Sequence, residues 1–400
     1  MTRHSTQRPK EPVLRLSICL IGVFLLIFAL RAHGQEVHQL SYNGSRWMDQ
    51  NLNGVTADPY TGLSAFLTTP NNQIHVYYLA NNGKGDNFCS YTDEVHQLFY
   101  NGTSWADEDL TVLSGGVPAI ACTPVTGFSV ENYQYVYFIA GDLSIHQLVY
   151  NNIGWSDSNL TALAGGPQAW GTSILAFTTT PAVHIYYSGY PDLHVHQIYT
   201  TDGTQWQDQD LTKITNGARG PDLPNQMVGF NVGNLQYVYF LSNDDGHVHR
   251  FFYNNSSWSD EDLTAITKTT THGFATTLAA IAIPGTNKLR VYLNDSRDHI
   301  LQLASTDSVK WTASDLSKKT SGPPAAVEDG ILAVASPKKL LNVYYVSAGD
   351  VIRIFQPTSS TWSHQDLTAL TGGGTISGFY GSPLAGLSLQ NSQNIFYLAQ

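Results

Sequence analysis

Charge is scarce in this 400-residue chain: only 13% of its residues are Asp, Glu, Lys or Arg. Basic residues are the scarcer kind, with 20 Lys and Arg against 31 acids, a formal net charge of −11. Five of the basic residues and one acid fall in residues 1–34, so the remainder carries 15 basic and 30 acidic residues, a net of −15. A surface of that sign repels phosphate backbones and excludes nucleic acid as a partner. Cysteine is rarer still, with three residues, of which Cys19 sits in an apolar run. No CxxC occurs, so no thiol-based metal or redox site is expected. Cys89 lies in a loop-like stretch and Cys122 in a strand-like one; export would permit a disulfide, but separate thiols are expected. No serine has a G-x-S-x-G setting, and no set of acids stands apart from the repeats described below. No catalytic residue, metal ligand or cofactor is therefore assigned. Helical periodicity is missing from 35–400, whereas Gly (34) and Tyr (22) are abundant and 42% of residues are hydrophobic. That composition excludes general disorder and favours strands and turns.

Long hydrophobic runs are limited to one, residues 16–30, which reads LSICLIGVFLLIFAL. Four basic residues precede it, and Ala32 and Gly34 follow as a small-residue cleavage pair. This is the order of a secretory signal peptide, and the run is short for a membrane span of about 20 residues. Residues 1–34 are read as a signal peptide, with retention as an N-terminal anchor as the alternative. A secreted or extracytoplasmic protein is expected, touching a membrane only if the segment is retained.

The rest of the chain repeats. The motif W-x-x-x-[DN]-L recurs at Trp47, Trp105, Trp155, Trp206, Trp258, Trp311 and Trp362, at spacings of 58, 50, 51, 52, 53 and 51. Before each Trp stands an alternating segment such as VHQLSYNGS (37–45) or VHRFFYNNS (248–256), with turn dipeptides ahead of the Trp. Before that comes a Tyr-rich strand such as IHVYYL or YVYFL, preceded by a strand of smaller side chains such as SILAFTT. Four short strands per unit of about 52 residues indicate a β-propeller. The spacing predicts an all-β, seven-bladed propeller over 35–400, a single domain. Its phase starts on the third and fourth strands of a unit and ends on the first and second. The N- and C-terminal strands should therefore pair into a composite blade and close the ring, which removes an exposed edge. The small-residue strand should line the central channel.

The repeated Trp is expected in packing between or within blades, and the Asp residues after it in turn capping rather than calcium binding. The Tyr pairs of the second strand put one ring on each face, so one should pack and one remain available. His194/His196 and His247/His249 have H-x-H spacing that can ligate zinc. No acidic third ligand is evident in the order of residues, and a polar cross-strand ladder is the expectation.

The pattern [I/V]-x-V-Y-[Y/F] followed by [I/V]-x-Q-x-x-Y-x-G-x-x-W resembles the fungal-type fucose-specific lectins, the Aleuria-like propellers, over about residues 36–400. The resemblance implies sugar pockets between neighbouring blades, each with an Arg ahead of the V-Y-Y run, a Glu on the next strand and aromatic rings. The matching pairs are His75 with Gln97, Tyr135 with Gln147, His184 with Gln197 and Tyr237 with Arg250. Arg290 pairs with Gln302, Asn342 with Arg353, and Asn394 with Gln39 across the ring closure. Arg290 alone keeps the family's Arg, no unit keeps the Glu, and the family has six blades where this chain reads as seven. Gln recurs in five of the seven pairs and offers both a donor and an acceptor to sugar hydroxyls. The implied function is a multivalent lectin for fucose or related neutral sugars, its partners glycans or glycoconjugates. A protein-interaction or structural propeller, and less readily a glycoside hydrolase or lyase, remain the alternatives.

Overall fold

In the computed structural model the repeat units fold into seven antiparallel sheets of four ladder strands each, ordered from the channel outward. The residues described are 35–399 apart from 53, 59–60, 70–71, 81–91, 224–225, 272, 274–275, 327–328, 337–339, 359–360, 377–383 and 390–391. Blades 1 to 6 begin with the inner strands Ser64–Thr68, Thr126–Val130, Ala169–Thr179, Met227–Val232, Leu278–Ala282 and Ile331–Ala335. Blade 7 is composite: Leu384–Leu389 and Ser392–Ala399 from one end of the chain, Glu36–Tyr42 and Trp47–Asn51 from the other. Its junction is a seven-residue antiparallel register running from Glu36↔Ala399 to Tyr42↔Gln393. Each inner strand lies beside the next, and Leu384–Leu389 lies beside Ser64–Thr68, which closes the ring. The channel holds a cavity of about 300 Å3 lined by small and aliphatic residues, among them Gly62, Ser64, Gly229 and Ala280.

Apolar residues pack between blades, in seven clusters that each combine two neighbours. This overturns the expectation that one ring of each Tyr pair stays available. Tyr77 and Tyr78, Tyr186 and Tyr187, and Tyr344 and Tyr345 are all fully buried, because each face of a blade meets another blade. The repeated Trp packs as expected. Trp47, Trp105, Trp258 and Trp311 stand edge-on to an aromatic ring of the preceding blade, at 6.0 to 6.2 Å between centroids.

The motif continues into a feature that the sequence pattern did not announce, a one-turn helix. Six are described: Leu110–Ser114, Leu160–Ala164, Leu211–Thr215, Leu263–Thr267, Leu316–Thr320 and Leu367–Thr371. Five residues are too few to show a helical period, so hydrophobic patterning misses them. Asp109, Asn159, Asp210, Asp262, Asp315 and Asp366 are their N-caps, each accepting from a backbone N–H of the first turn. The motif Leu is fully buried in all six. The following Thr or Ser hydroxyl accepts from a backbone N–H at the start of the third strand, as Thr212 does from Val195 at 3.0 Å.

The other motif acid has a different partner. Asp49, Asp107, Asp157, Asp208 and Asp260 bond Nδ1 of His38, His96, His146, His196 and His249 at 2.9 to 3.0 Å. The two blades that lack this Asp, at Ala313 and His364, also lack the His, carrying Leu301 and Ile352. The Asp reaches across the interface too. Asp157 and Asp260 accept from the backbone N–H of Val117 and Ala218, beyond the preceding helix. A Cβ on Gly217 would fall 2.8 Å from Asp260, so that approach requires glycine.

Cys122 is disulfide-bonded, contrary to the expectation of separate thiols; its partner lies outside the described residues. The two-residue strand Ala119–Ile120, just before Cys122, pairs onto Thr92 and Asp93. Residues 1–34, read as a signal peptide, lie outside the described residues. None of the described helices is long and apolar enough to cross a membrane.

Candidate functional site

Strand alternation sets the geometry of the interfaces. In each blade the second-strand position inferred from the resemblance and the third-strand position lie on one face, a diagonal step apart: His75 faces Phe99 in the register while Gln97 faces Tyr77. The outer strand extends the same polar row, adding Glu108 opposite Gln97, Gln209 opposite Gln197 and Glu261 opposite Arg250.

Four of the seven inferred pairs are joined by hydrogen bonds. His75 Nδ1 meets Gln97 Oε1 at 3.1 Å, and Gln197 Nε2 meets His184 Nδ1 at 2.8 Å. Arg353 Nη2 donates to Asn342 Oδ1 at 2.6 Å, and Gln39 Nε2 donates to Asn394 Oδ1 at 2.8 Å. Tyr237 and Arg250 meet through the ring face, with the guanidinium carbon 5.8 Å from the centroid. In the other two pairs the glutamine bonds the neighbouring tyrosine: Gln147 to Tyr137 at 2.8 Å and Gln302 to Tyr292 at 3.0 Å. Arg290 is half-buried, and its Nη1 donates to the carbonyls of Leu289 and Ser305 at 2.7 and 3.0 Å. The neighbouring Asp295 is engaged by Arg297.

The interfaces are not equivalent. Between blades 4 and 5, Arg250 is 1% exposed and pairs with Glu261. Its Nη1 and Nη2 both reach Ser308 O at 3.0 Å, and its guanidinium carbon lies 5.3 Å from the Trp311 ring centroid. The Arg and Glu of the resemblance thus stand side by side here, one strand farther out. Between blades 6 and 7, Arg353 lies over Phe355 and Trp47 at 4.2 and 5.3 Å. In both places a side chain of the protein fills the interface.

The interface between blades 1 and 2 is open. A cavity of about 330 Å3 is lined by His75, Gln97, Phe99 and Glu108 of one blade and Gln134, Tyr150 and Trp155 of the next. That volume lies at the lower end of small-ligand sites, about 300–1,000 Å3. Gln97 Nε2 donates to Glu108 at 2.6 Å, and Tyr77 donates its hydroxyl to Gln134 across the interface. Burial lowers the His75 pKa to about 4, so the ring is neutral at neutral pH. Since Gln97 Oε1 only accepts, the His75 proton sits on Nδ1, and Nε2 faces the Thr68 hydroxyl at 3.4 Å. The cavity therefore offers neutral donors and acceptors, one carboxylate and aromatic rings. Glu108 and Gln134 belong to it and were not among the inferred residues. Each aligns with a position in every other blade, the outer-strand partner of the third-strand Gln and the residue just ahead of the second-strand site, so the repeat itself could have found them.

Residues 17–209 match the family described as fungal fucose-specific lectin. No curated protein sequence matches the chain significantly. Among solved structures, the chain is similar to Aleuria aurantia lectin in complex with Fucalpha1-6GlcNAc. The identity is 16% over 76% of this chain and 94% of that one, with a TM-score of 0.50. It is also similar to AofleA from Arthrobotrys oligospora, 11% identical over 90% of this chain and 92% of that one, with a TM-score of 0.52. The Aleuria structure is a six-bladed propeller, whereas this chain has seven blades.

Proposed function

We propose that this chain is a non-catalytic lectin that binds fucose or a related neutral sugar in the interfaces between its blades. The observation that carries this reading is the open cavity between blades 1 and 2, at the positions the fungal-lectin resemblance implies. Phe99 and Trp155 offer apolar ring surface to a sugar, while His75, Gln97 and Gln134 meet its hydroxyls without a buried charge. Leu113, on the helix that follows the motif, adds an aliphatic lip suited to a sugar methyl group. Glu108 is the one carboxylate among the described residues of the lining, whereas glycoside hydrolysis ordinarily needs two. Weaker sites at other interfaces would act together on a glycan surface and raise avidity by ~10²–10⁴. Residues 1–34 are read as an export segment, which puts the propeller where surface glycans are.

A glycan array identifies the ligand class, and calorimetry with fucose then tests the cavity. Gln97→Ala removes one donor and one acceptor and strands His75 and Glu108. It is expected to weaken the tightest fucose site about 10- to 100-fold, about 1–3 kcal/mol. Equal heats from wild type and variant would remove this cavity from the reading. An array on which no glycan is retained would overturn the lectin assignment.

A further inference from the structure

The turns that enter the third strands of blades 3 and 4 hold a feature unconnected with sugar. The sequence pattern showed the H-x-H pairs without an acidic third ligand; the fold supplies two acids. In blade 3, Asp192 from the turn and Asp210 from the helix N-cap come together with His196, their ligand atoms all within 4.8 Å of one another. His196 Nδ1 is held by Asp208 at 2.9 Å. That bond puts the proton on Nδ1 and leaves the Nε2 lone pair facing the two carboxylates, the arrangement in which a metal-binding histidine is oriented by an outer carboxylate. His196 is 6% exposed, and its Nε2 is buried with no hydrogen-bond partner. His194 Nδ1 bonds Asp210 Oδ2 at 2.7 Å, and the Lys213 backbone N–H donates to Asp210 Oδ1 at 2.8 Å. Both oxygens are fixed in place and still have lone pairs to offer.

Two of the corresponding rings have a hydrogen-bond neighbour at this nitrogen. His146 Nε2 meets the Ser144 hydroxyl at 3.1 Å, and His249 Nε2 meets Asp245 at 3.4 Å. Blade 5 shows what the crevice accepts. It has Leu301 in place of the inner histidine, and Arg297 in place of Asp192. The Arg297 guanidinium reaches Asp295 at 2.9 Å and the N-cap acid Asp315 at 3.5 Å. A positive charge built into the chain thus occupies the place that blade 3 surrounds with two carboxylates and a ring nitrogen.

We propose that blade 3 carries a divalent-metal site of the zinc type, with Asp192, His196 Nε2 and Asp210 as ligands and His194 and Asp208 holding them in position. Three nitrogen and oxygen ligands leave a fourth position for water, as in open zinc sites. Blade 4 brings Asp245 and Asp262 together with His247, the counterpart of His194 rather than of His196, and is expected to bind a second ion more weakly because His249, the counterpart of His196, already contacts Asp245.

The test titrates zinc sulfate into the full chain, stripped with EDTA and dialysed, by calorimetry at pH 7.5. Saturable binding in the micromolar range is expected, and cobalt(II) in place of zinc should give the visible absorption of a low-symmetry site. His196→Ala and Asp192→Asn should each bind one ion fewer than wild type. Asp192 is an exposed turn residue, so Asp192→Asn should keep the wild-type melting temperature and separate lost ligation from lost fold. Absence of saturable binding to wild type, or equal stoichiometry in wild type and Asp192→Asn, would overturn the proposal.

Discussion

A chain lacking residues 392–400 is expected to lose cooperative folding altogether. Ser392–Ala399 is the second strand of blade 7 and lies between Leu384–Leu389 and Glu36–Tyr42, joining them into one sheet. Ile395, Phe396, Tyr397 and Leu398 are all fully buried, and each contributes about 1.5–3 kcal/mol by burial alone. Their loss removes roughly 6–12 kcal/mol, comparable with the total stability of about 5–15 kcal/mol typical of a domain. The deletion also exposes strand edges on both sides of the gap, which invites aggregation. Deleting a surface turn elsewhere removes no comparable area. Denaturant unfolding followed by tryptophan fluorescence checks this, with a sigmoidal transition in the full chain and a gradual one, or insoluble protein, in the truncated chain. A truncated chain that unfolds cooperatively at the same midpoint would show that the ring does not depend on its closure.

The architecture was legible because each repeat states the same requirement seven times. Period, strand alternation and the split phase of the first and last units together predicted the blade number and the composite blade. Details that act through single contacts were harder to read. The roles of the two motif acids were written in the sequence as a co-occurrence: His and the second-position Asp are present together in five units and absent together in two. Reading each column separately hides that link. The one-turn helices were hidden because their signal is a cap and one buried Leu rather than a period. The Cys122 disulfide has no signal in the repeat, and the two-residue strand Ala119–Ile120 just before it has no pattern of its own. At the site, the resemblance located the interfaces but not their occupancy. Arg250 and Arg353 fill two of them from the third strand, where the family pattern has its Glu, and a long side chain in a short column gives no hint of which cavity it will enter.

Acidification is expected to destabilise the protein between pH 6.5 and 4, mainly through His75 and His184. Both are buried, and burial lowers the pKa of each from 6.5 to about 4; at His75 a hydrogen bond to Gln97 opposes part of that shift. In that window the unfolded chain binds a proton at each ring that the folded chain refuses. Stability is therefore full above about pH 6.5 and falls as the pH drops toward 4. His196 and His249 are shifted upward, in spite of their burial, by Asp208 and Asp260. Their contribution is complete below pH 6.5 and is lost as pH rises through the raised values, so it does not offset the loss on the acid side. The carboxylates with lowered values titrate from 3.8 downward, below most of the window. From pH 7.5 to 4.5, each of the two histidines should cost about 2–3 kcal/mol. His184 accepts from Gln197 on Nδ1 and donates through Nε2 to Thr179 at 2.8 Å, so glutamine in its place keeps a donor and an acceptor. His184→Gln is accordingly expected to lose stability at pH 7.5 but to show about half the wild-type decline toward pH 4.5. The double variant with His75→Gln should be nearly flat across the same range. Urea unfolding at four or five pH values measures both slopes. A double variant that declines as steeply as wild type would mean that other groups carry the acid sensitivity and that these two rings protonate freely in the folded state.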